Sequence, residues 1–121
     1  MSSSTNILMP WPNWKVVKKL GQGGFGSVYE IERNLAGMKE KAALKIISRP
    51  TEDELERDYN NGYTAQTVSK KYTDLLEKCV GEYKMLMAMK GQTNIVSCDD
   101  IAVERHKDGI GWDIYIRMEL L

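Results

Sequence analysis

The spacing of apolar residues predicts an α+β fold, in which a five-stranded antiparallel twisted sheet packs against one long helix. Five short segments are mostly apolar or alternate between polar and apolar residues, as strands do. Two segments between the third and fourth strands have helical spacing instead. Short connections join the first three strands, which favours antiparallel pairing. A chain of 121 residues has room for one domain with one modest core.

The strands are predicted at 14–20, 27–33, 41–48, 101–105 and 112–119. Turn-forming residues at 34–37 separate the second strand from the third, and Lys107-Asp108-Gly109 is predicted to close a hairpin between the last two. Residues 1–13 are polar and then rich in proline, and are predicted to form a flexible arm before a domain at 14–121.

Both helices are predicted within the segment that follows the third strand. Thr51 and Glu54 have the spacing of a capping box, and Asn60-Asn61-Gly62 is a stop signal for this short extra helix. The long helix is predicted from about 65 to about 90, with Gly91 at its end. Its apolar stripe consists of Val68, Tyr72, Leu75, Cys79, Leu86 and Met89.

The composition argues against several classes of protein. Seventeen basic and seventeen acidic residues cancel, so no basic surface for nucleic acid is predicted. No apolar run approaches the roughly 20 residues of a membrane helix, and the N-terminus lacks a secretory signal. Cys79 and Cys98 have no metal-site spacing and are predicted to be buried thiols of a cytoplasmic protein.

Three glycines, Gly21, Gly23 and Gly26, form the pattern G-x-G-x-x-G, which two unrelated phosphate-binding folds share. In a dinucleotide-binding fold the third glycine begins a helix, but here a predicted strand follows it. A Walker loop is excluded because no Gly-Lys-Ser/Thr follows. A glycine-rich hairpin without a ligand remains an alternative at this point.

Lys45 and Glu82 are charged residues at positions that the pattern assigns to buried faces. Lys45 lies within the apolar strand AALKII, where an ammonium group is costly without a partner. Ala43 shares its face, and a small residue beside a cation suits a flat ring next to a phosphate. Glu82 fills the gap in the apolar stripe of the long helix, so it is predicted to face Lys45. The alternative is a glutamate on a solvated edge.

Together these segments resemble the N-terminal lobe of eukaryotic-type serine/threonine protein kinases, most closely the bacterial members. The resemblance is carried by GQGGFGSV at 21–28, AALK at 42–45, Glu82 and IYIRMELL at 114–121. It covers residues 14–121. The connection between Lys45 and Glu82, with its extra helix in the 49–80 insert, is longer than is usual in the family, and the sequence assigns it no role.

The resemblance implies a role for each matching residue in binding ATP. Backbone amides of the glycine loop would cover the phosphates, and Lys45, held by Glu82, would contact the α- and β-phosphates. Met118 would lie at the back of the adenine pocket, while the carbonyl of Glu119 and the amide of Leu121 would bond the adenine edge. The implied nucleotide-binding residues are Leu20, Gly21, Gln22, Gly23, Gly24, Phe25, Gly26, Val28, Ala43, Lys45, Met118, Glu119 and Leu121.

A working kinase also needs the His-Arg-Asp and Asp-Phe-Gly motifs. The only histidine is His106, followed by Lys107, and the only phenylalanine is Phe25, so this chain has neither motif. We therefore expect a lobe that ends at the hinge and is inactive by itself, with the Mg²⁺ ligands and the protein-substrate site in an absent lobe. The alternative is a pseudokinase-like binding or scaffold module. Without that lobe the apolar residues over the adenine site would be exposed, which predicts a homodimer; the alternative is a monomer whose glycine loop folds over them.

Overall fold

The computed structural model describes residues 9–24, 26–91 and 97–120. Within these ranges the strands are β1 (Lys15–Gln22), β2 (Gly26–Leu35), β3 (Met38–Arg49), β4 (Cys98–Arg105) and β5 (Trp112–Met118). The helices are α1 (Glu52–Asn60) and α2 (Ala65–Ala88), both between β3 and β4. The predicted α+β class and the order of the elements are confirmed.

The strands form one antiparallel sheet in the order β1-β2-β3-β5-β4. β5 therefore lies between β3 and β4, although it follows both in the chain. Lys45 on β3 pairs with Val28 on one side and with Ile116 on the other. Ala43, two residues earlier on the same face, pairs with Met118.

α2 packs on one face of the sheet, over the buried residues Trp112, Ile114, Ile116 and Cys98. Both helices begin with the capping boxes that their sequences encode, at Thr51 and Thr64. Backbone φ angles of +90° at Gly62 and +91° at Gly91 follow the two helices, and glycine tolerates this left-handed region without a steric penalty. The predicted helix starts and stops are confirmed.

The opposite face of the sheet carries a second core around Trp14, Ile31 and Leu44. Met9 and Trp11 pack against this core, although the sequence places them in a flexible arm. Trp11 donates a hydrogen bond from Nε1 to Asp100 Oδ2 at 2.9 Å. The part of the predicted arm at residues 1–8 lies outside the described residues.

The connection between β4 and β5 is longer than the predicted turn. It runs from 106 to 111, and Gly109 and Gly111 have φ angles of +79° and +87°. Asp108 does not have the positive φ that an Asp-Gly hairpin turn uses, since the only described non-glycine residue with positive φ is Ala36. The Asp108 side chain instead accepts a hydrogen bond from the Ile110 amide at 2.8 Å.

Candidate functional site

A cavity of about 430 Å³ lies between the β1–β2 turn, β3 and α2. Its walls come from the glycine loop, from alternate residues of β3 and from a single residue of α2. The lining residues are Gly21, Gln22, Gly23, Gly24, Gly26, Ser27, Val28, Lys45, Ile47, Arg49 and Cys79. The structure therefore brings the loop and the lysine singled out by the sequence to one site.

The glycines of the loop differ in the space that a side chain would find at each position. A Cβ at Gly26 would lie 1.8 Å from the carbonyl oxygen of Ile46, so the pairing of β2 with β3 requires glycine there. A Cβ at Gly21, Gly23 or Gly24 would meet no described atom within 4 Å. Packing within the described chain thus explains Gly26, whereas the other three leave backbone open toward the cavity.

Hydrogen bonding keeps the turn narrow. The Gly23 amide donates to the Gly26 carbonyl at 2.8 Å, which closes the loop before β2 begins. Phe25, predicted at the tip of this loop, lies outside the described residues.

Lys45 enters the cavity from the middle of β3. It is half-buried, and its cross-strand neighbours Val28 and Ile116 are apolar. None of the ion pairs found among the described residues includes Lys45. Its ammonium group is therefore available to an anion in the cavity.

The predicted contact between Glu82 and Lys45 is not formed in this structure. Glu82 is exposed, and no ion pair recorded for the described residues involves it. The reason lies in the buried face of α2, which also includes Leu76, Val80, Tyr83 and Met87. With about 3.6 residues per turn, these side chains rotate the buried face by roughly 50° away from Glu82. The prediction followed only one side of that face.

Cys79, one turn before Glu82, is the α2 residue that reaches the cavity. Burial raises the pKa of the Cys79 thiol, and the negative charge of Glu82 raises it further. The thiol therefore remains protonated near neutral pH and presents a small, weakly polar wall.

Arg49 is a second cation at the cavity, and the carboxylate of Glu54 holds it. Arg49 Nε donates to Glu54 Oε1 at 3.2 Å, and Nη2 donates to Oε2. The Arg49 guanidinium also lies 5.9 Å from the centre of the Tyr72 ring. The bond to Glu54 raises the pKa of Arg49. Burial disfavours the charge on Glu54, but the bonds from Arg49 and from the Thr51 amide outweigh it and lower the pKa of Glu54.

The other end of α1 is attached to α2 through a buried carboxylate. Asp58 is 2% exposed and accepts hydrogen bonds from Lys71 Nζ at 2.9 and 3.1 Å and from the Tyr72 hydroxyl at 3.0 Å. The bonds from Lys71 and Tyr72 outweigh desolvation and lower the pKa of Asp58. α1 therefore bridges the end of β3 and the first turns of α2.

The remaining predicted residues lie outside the lining of this cavity. Ala43 and Met118 are half-buried neighbours on the sheet face that carries Lys45. Leu20 is 46% exposed, and the Glu119 amide donates to the Ser97 carbonyl at 2.9 Å. Leu121 lies outside the described residues.

Four lining residues were missed by the sequence interpretation: Ser27, Ile47, Arg49 and Cys79. A signal for two of them was present, because the alternation that places Lys45 on one face of β3 also places Ile47 and Arg49 there. The approach of Cys79 depends on how α2 packs, which local pattern does not encode.

Two further properties of the described residues bear on function. In residues 9–24, 26–91 and 97–120, no three His, Cys, Asp or Glu side chains are grouped so as to hold a metal ion. Neither described helix has the length and apolar character needed to span a bilayer.

Comparison with protein-family models finds no match to this chain, and no curated protein matches it significantly.

Proposed function

We infer that this chain is the nucleotide-binding N-terminal lobe of a cytoplasmic serine/threonine protein kinase. The observation that carries the proposal is the shared cavity of the glycine loop and Lys45, with three glycines whose missing side chains the described packing does not explain. Loop backbone that a ligand can approach because three positions lack side chains, together with one cation without an ion-pair partner among the described residues, suits the phosphates of ATP. A five-stranded antiparallel sheet with a long helix on one face agrees with the fold of such a lobe.

In the proposed complex, the phosphates and the adenine of the nucleotide contact two different parts of the same sheet face. The amides of the glycine loop cover the phosphates, and Lys45 neutralises charge on them. Val28, Ala43 and Met118, on the same face as Lys45, form the apolar surface over adenine. The backbone at Glu119 bonds the adenine edge.

The proposed reaction is transfer of the γ-phosphoryl group of ATP to a hydroxyl of a protein substrate. The catalytic base and the Mg²⁺ ligands belong to the two motifs that this sequence lacks, and the protein-substrate site belongs to the lobe that carries those motifs. This chain supplies the cover of the phosphates and the positive charge of Lys45. It is expected to bind ATP weakly when it is alone.

A pseudokinase-like binding or scaffold module is the second candidate. The observation that favours it is the absence of an ion pair between Lys45 and Glu82 among the described residues, since active kinases need that pair. The first candidate predicts phosphoryl transfer by a protein that carries this lobe together with a catalytic lobe, and the second predicts none.

The first experiment follows backbone amide shifts of the 121-residue chain during titration with ATP at millimolar concentrations. We expect shifts centred on 21–28, which Lys45→Met reduces and Lys39→Met does not. Lys39 is the matched control because it lies on the same strand and is exposed. Shifts spread elsewhere, or equal effects of the two variants, would contradict nucleotide binding at this site.

The second experiment measures phosphoryl transfer in the longer protein. Lys45→Met removes transition-state charge stabilisation without removing core packing, so we expect loss of turnover with an unchanged melting temperature. Normal turnover by this variant would favour the scaffold candidate.

A further inference from the structure

The cavity has a second positive charge that its proposed role in binding ATP does not use. Residues 45, 47 and 49 share one face of β3, so Lys45 and Arg49 enter the same cavity with Ile47 between them. At about 3.3 Å per strand residue, their Cα atoms lie roughly 13 Å apart. Two cations at this separation, each on a long side chain, match an extended polyphosphate better than a single phosphate.

Arg49 differs from Lys45 in being neutralised from outside the cavity. Its partner Glu54 belongs to α1, is 4% exposed and accepts from two nitrogens of the guanidinium. Glu54 Oε1 also accepts from the Thr51 amide at 3.0 Å, so the capping box of α1 fixes the carboxylate in place. The helix that the sequence left without a role therefore sets the charge at one end of the cavity.

We propose that Arg49 binds the distal part of a polyphosphate chain in this cavity and that Glu54 of the insert helix restrains its affinity. The proposal rests on the proposed function only in taking the cavity to be a phosphate site. A guanidinium presents its donors in a planar fork, which suits a phosphate as well as it suits a carboxylate. Electrostatically, the carboxylate of Glu54 and the phosphate compete for one positive charge.

Substitution of Glu54 by Gln isolates this charge effect. Glutamine at the third helical position still accepts the Thr51 amide in a capping box, so α1 keeps its N-terminal cap while the negative charge disappears. Glu56→Gln is the matched control, because it removes the same charge from an exposed position of α1. For Arg49→Gln the matched control is Arg57→Gln, also exposed on α1.

The test titrates the full chain and its variants with inorganic tripolyphosphate and, separately, with orthophosphate, and reads backbone amide shifts. We expect Arg49→Gln to weaken tripolyphosphate binding about tenfold and Glu54→Gln to strengthen it about threefold to tenfold, as for charge-assisted contacts. Arg49→Lys keeps the charge without the planar fork, so its affinity falls between those of the wild type and Arg49→Gln. Orthophosphate binding should respond to Lys45→Met and little to Arg49→Gln.

Thermal melts of each variant verify folding, and Arg49→Lys supports or refutes the proposal if Arg49→Gln does not fold. The inference is overturned if Arg49→Gln and Arg57→Gln have equal effects, or if Glu54→Gln weakens binding. Failure of the proposed function has a different signature, in which Lys45→Met also leaves tripolyphosphate binding unchanged. Loss at Lys45 without loss at Arg49 would overturn this inference alone.

Discussion

The carboxylate of Asp58 in α1 accepts a hydrogen bond from the hydroxyl of Tyr72 in α2, with 3.0 Å between Oδ2 and the phenolic oxygen. Both side chains are buried. This bond and the adjacent contact with Lys71 attach the insert helix to the helix that lines the cavity. The integrity of that attachment can be measured.

Replacing Tyr72 with Phe should lower the free energy of unfolding by about 1–2 kcal/mol, because a buried acceptor loses one of its donors. Urea denaturation monitored by circular dichroism measures the change. Tyr59→Phe is the control, since Tyr59 lies on α1 and is 41% exposed. Equal stabilities of the two variants would show that the hydroxyl of Tyr72 contributes nothing.

The stability that Asp58 confers should depend on pH. Its pKa in the folded chain lies below the unfolded value of about 4, so its contribution is present above that value and is lost as pH falls through the folded pKa. We therefore expect Asp58→Asn to destabilise the chain at pH 7 and to differ progressively less from the wild type below about pH 4. Urea denaturation across this range gives the difference, and Asp53→Asn, at an exposed position of α1, is the control that should change stability little at pH 7. A constant difference for Asp58→Asn would contradict the shifted pKa.

Substitution by alanine should change the stability of the chain at Gly26 but not at Gly23. Gly26→Ala places a Cβ against the backbone of β3, so we expect a loss of about 2 kcal/mol or more in unfolding free energy. Gly23→Ala meets open space, so its stability should stay within about 0.5 kcal/mol of the wild type. If the cavity binds polyphosphate, Gly23→Ala should nevertheless weaken tripolyphosphate binding, which the amide-shift titration detects. Unchanged binding would mean that the backbone there does not approach a ligand.

The two thiols should differ in their response to ligand. Cys98 is fully buried, whereas Cys79 is half-buried and lines the cavity, and burial raises the pKa of both. We expect iodoacetamide to modify Cys79 slowly and Cys98 only on unfolding, as followed by mass spectrometry. Tripolyphosphate should slow modification of Cys79, while Cys79→Ser identifies any signal from Cys98. Modification of Cys79 at an unchanged rate in saturating ligand would place the ligand elsewhere.

Local pattern was sufficient for most of the fold. The caps at Thr51 and the stops at Gly62 and Gly91 are local signals, and the structure has both helices where these residues place them. Alternation in β3 correctly joined Ala43 and Lys45 on one face, because side-chain direction in a strand repeats every two residues.

The spacing of residues in the sequence could not predict how α2 is rotated on the sheet or which side chains meet between elements, because tertiary packing decides both. The buried face of α2 is wide, so the same sequence allows several rotations, and the packing of Val80 and Tyr83 on the sheet leaves Glu82 exposed. Trp11 belongs to no helix or strand and so gave no periodic signal, yet its indole donates a hydrogen bond to Asp100 on β4. The ion pair of Arg49 with Glu54 could be predicted only from the position of α1 relative to the end of β3, which local spacing does not give.

The placement of β5 between β3 and β4 has a consequence for how the chain reaches its native state. β1, β2 and β3 form two consecutive hairpins, which can assemble from residues that are close in the sequence. The pairing of Ala43 with Met118, in contrast, must close a loop that contains both helices and β4. Such long-range closure slows folding, so we expect the meander of β1, β2 and β3 to form before β5 completes the sheet. During synthesis on the ribosome, the edge of β3 that pairs with β5 would therefore stay without a partner strand until β5 has been made.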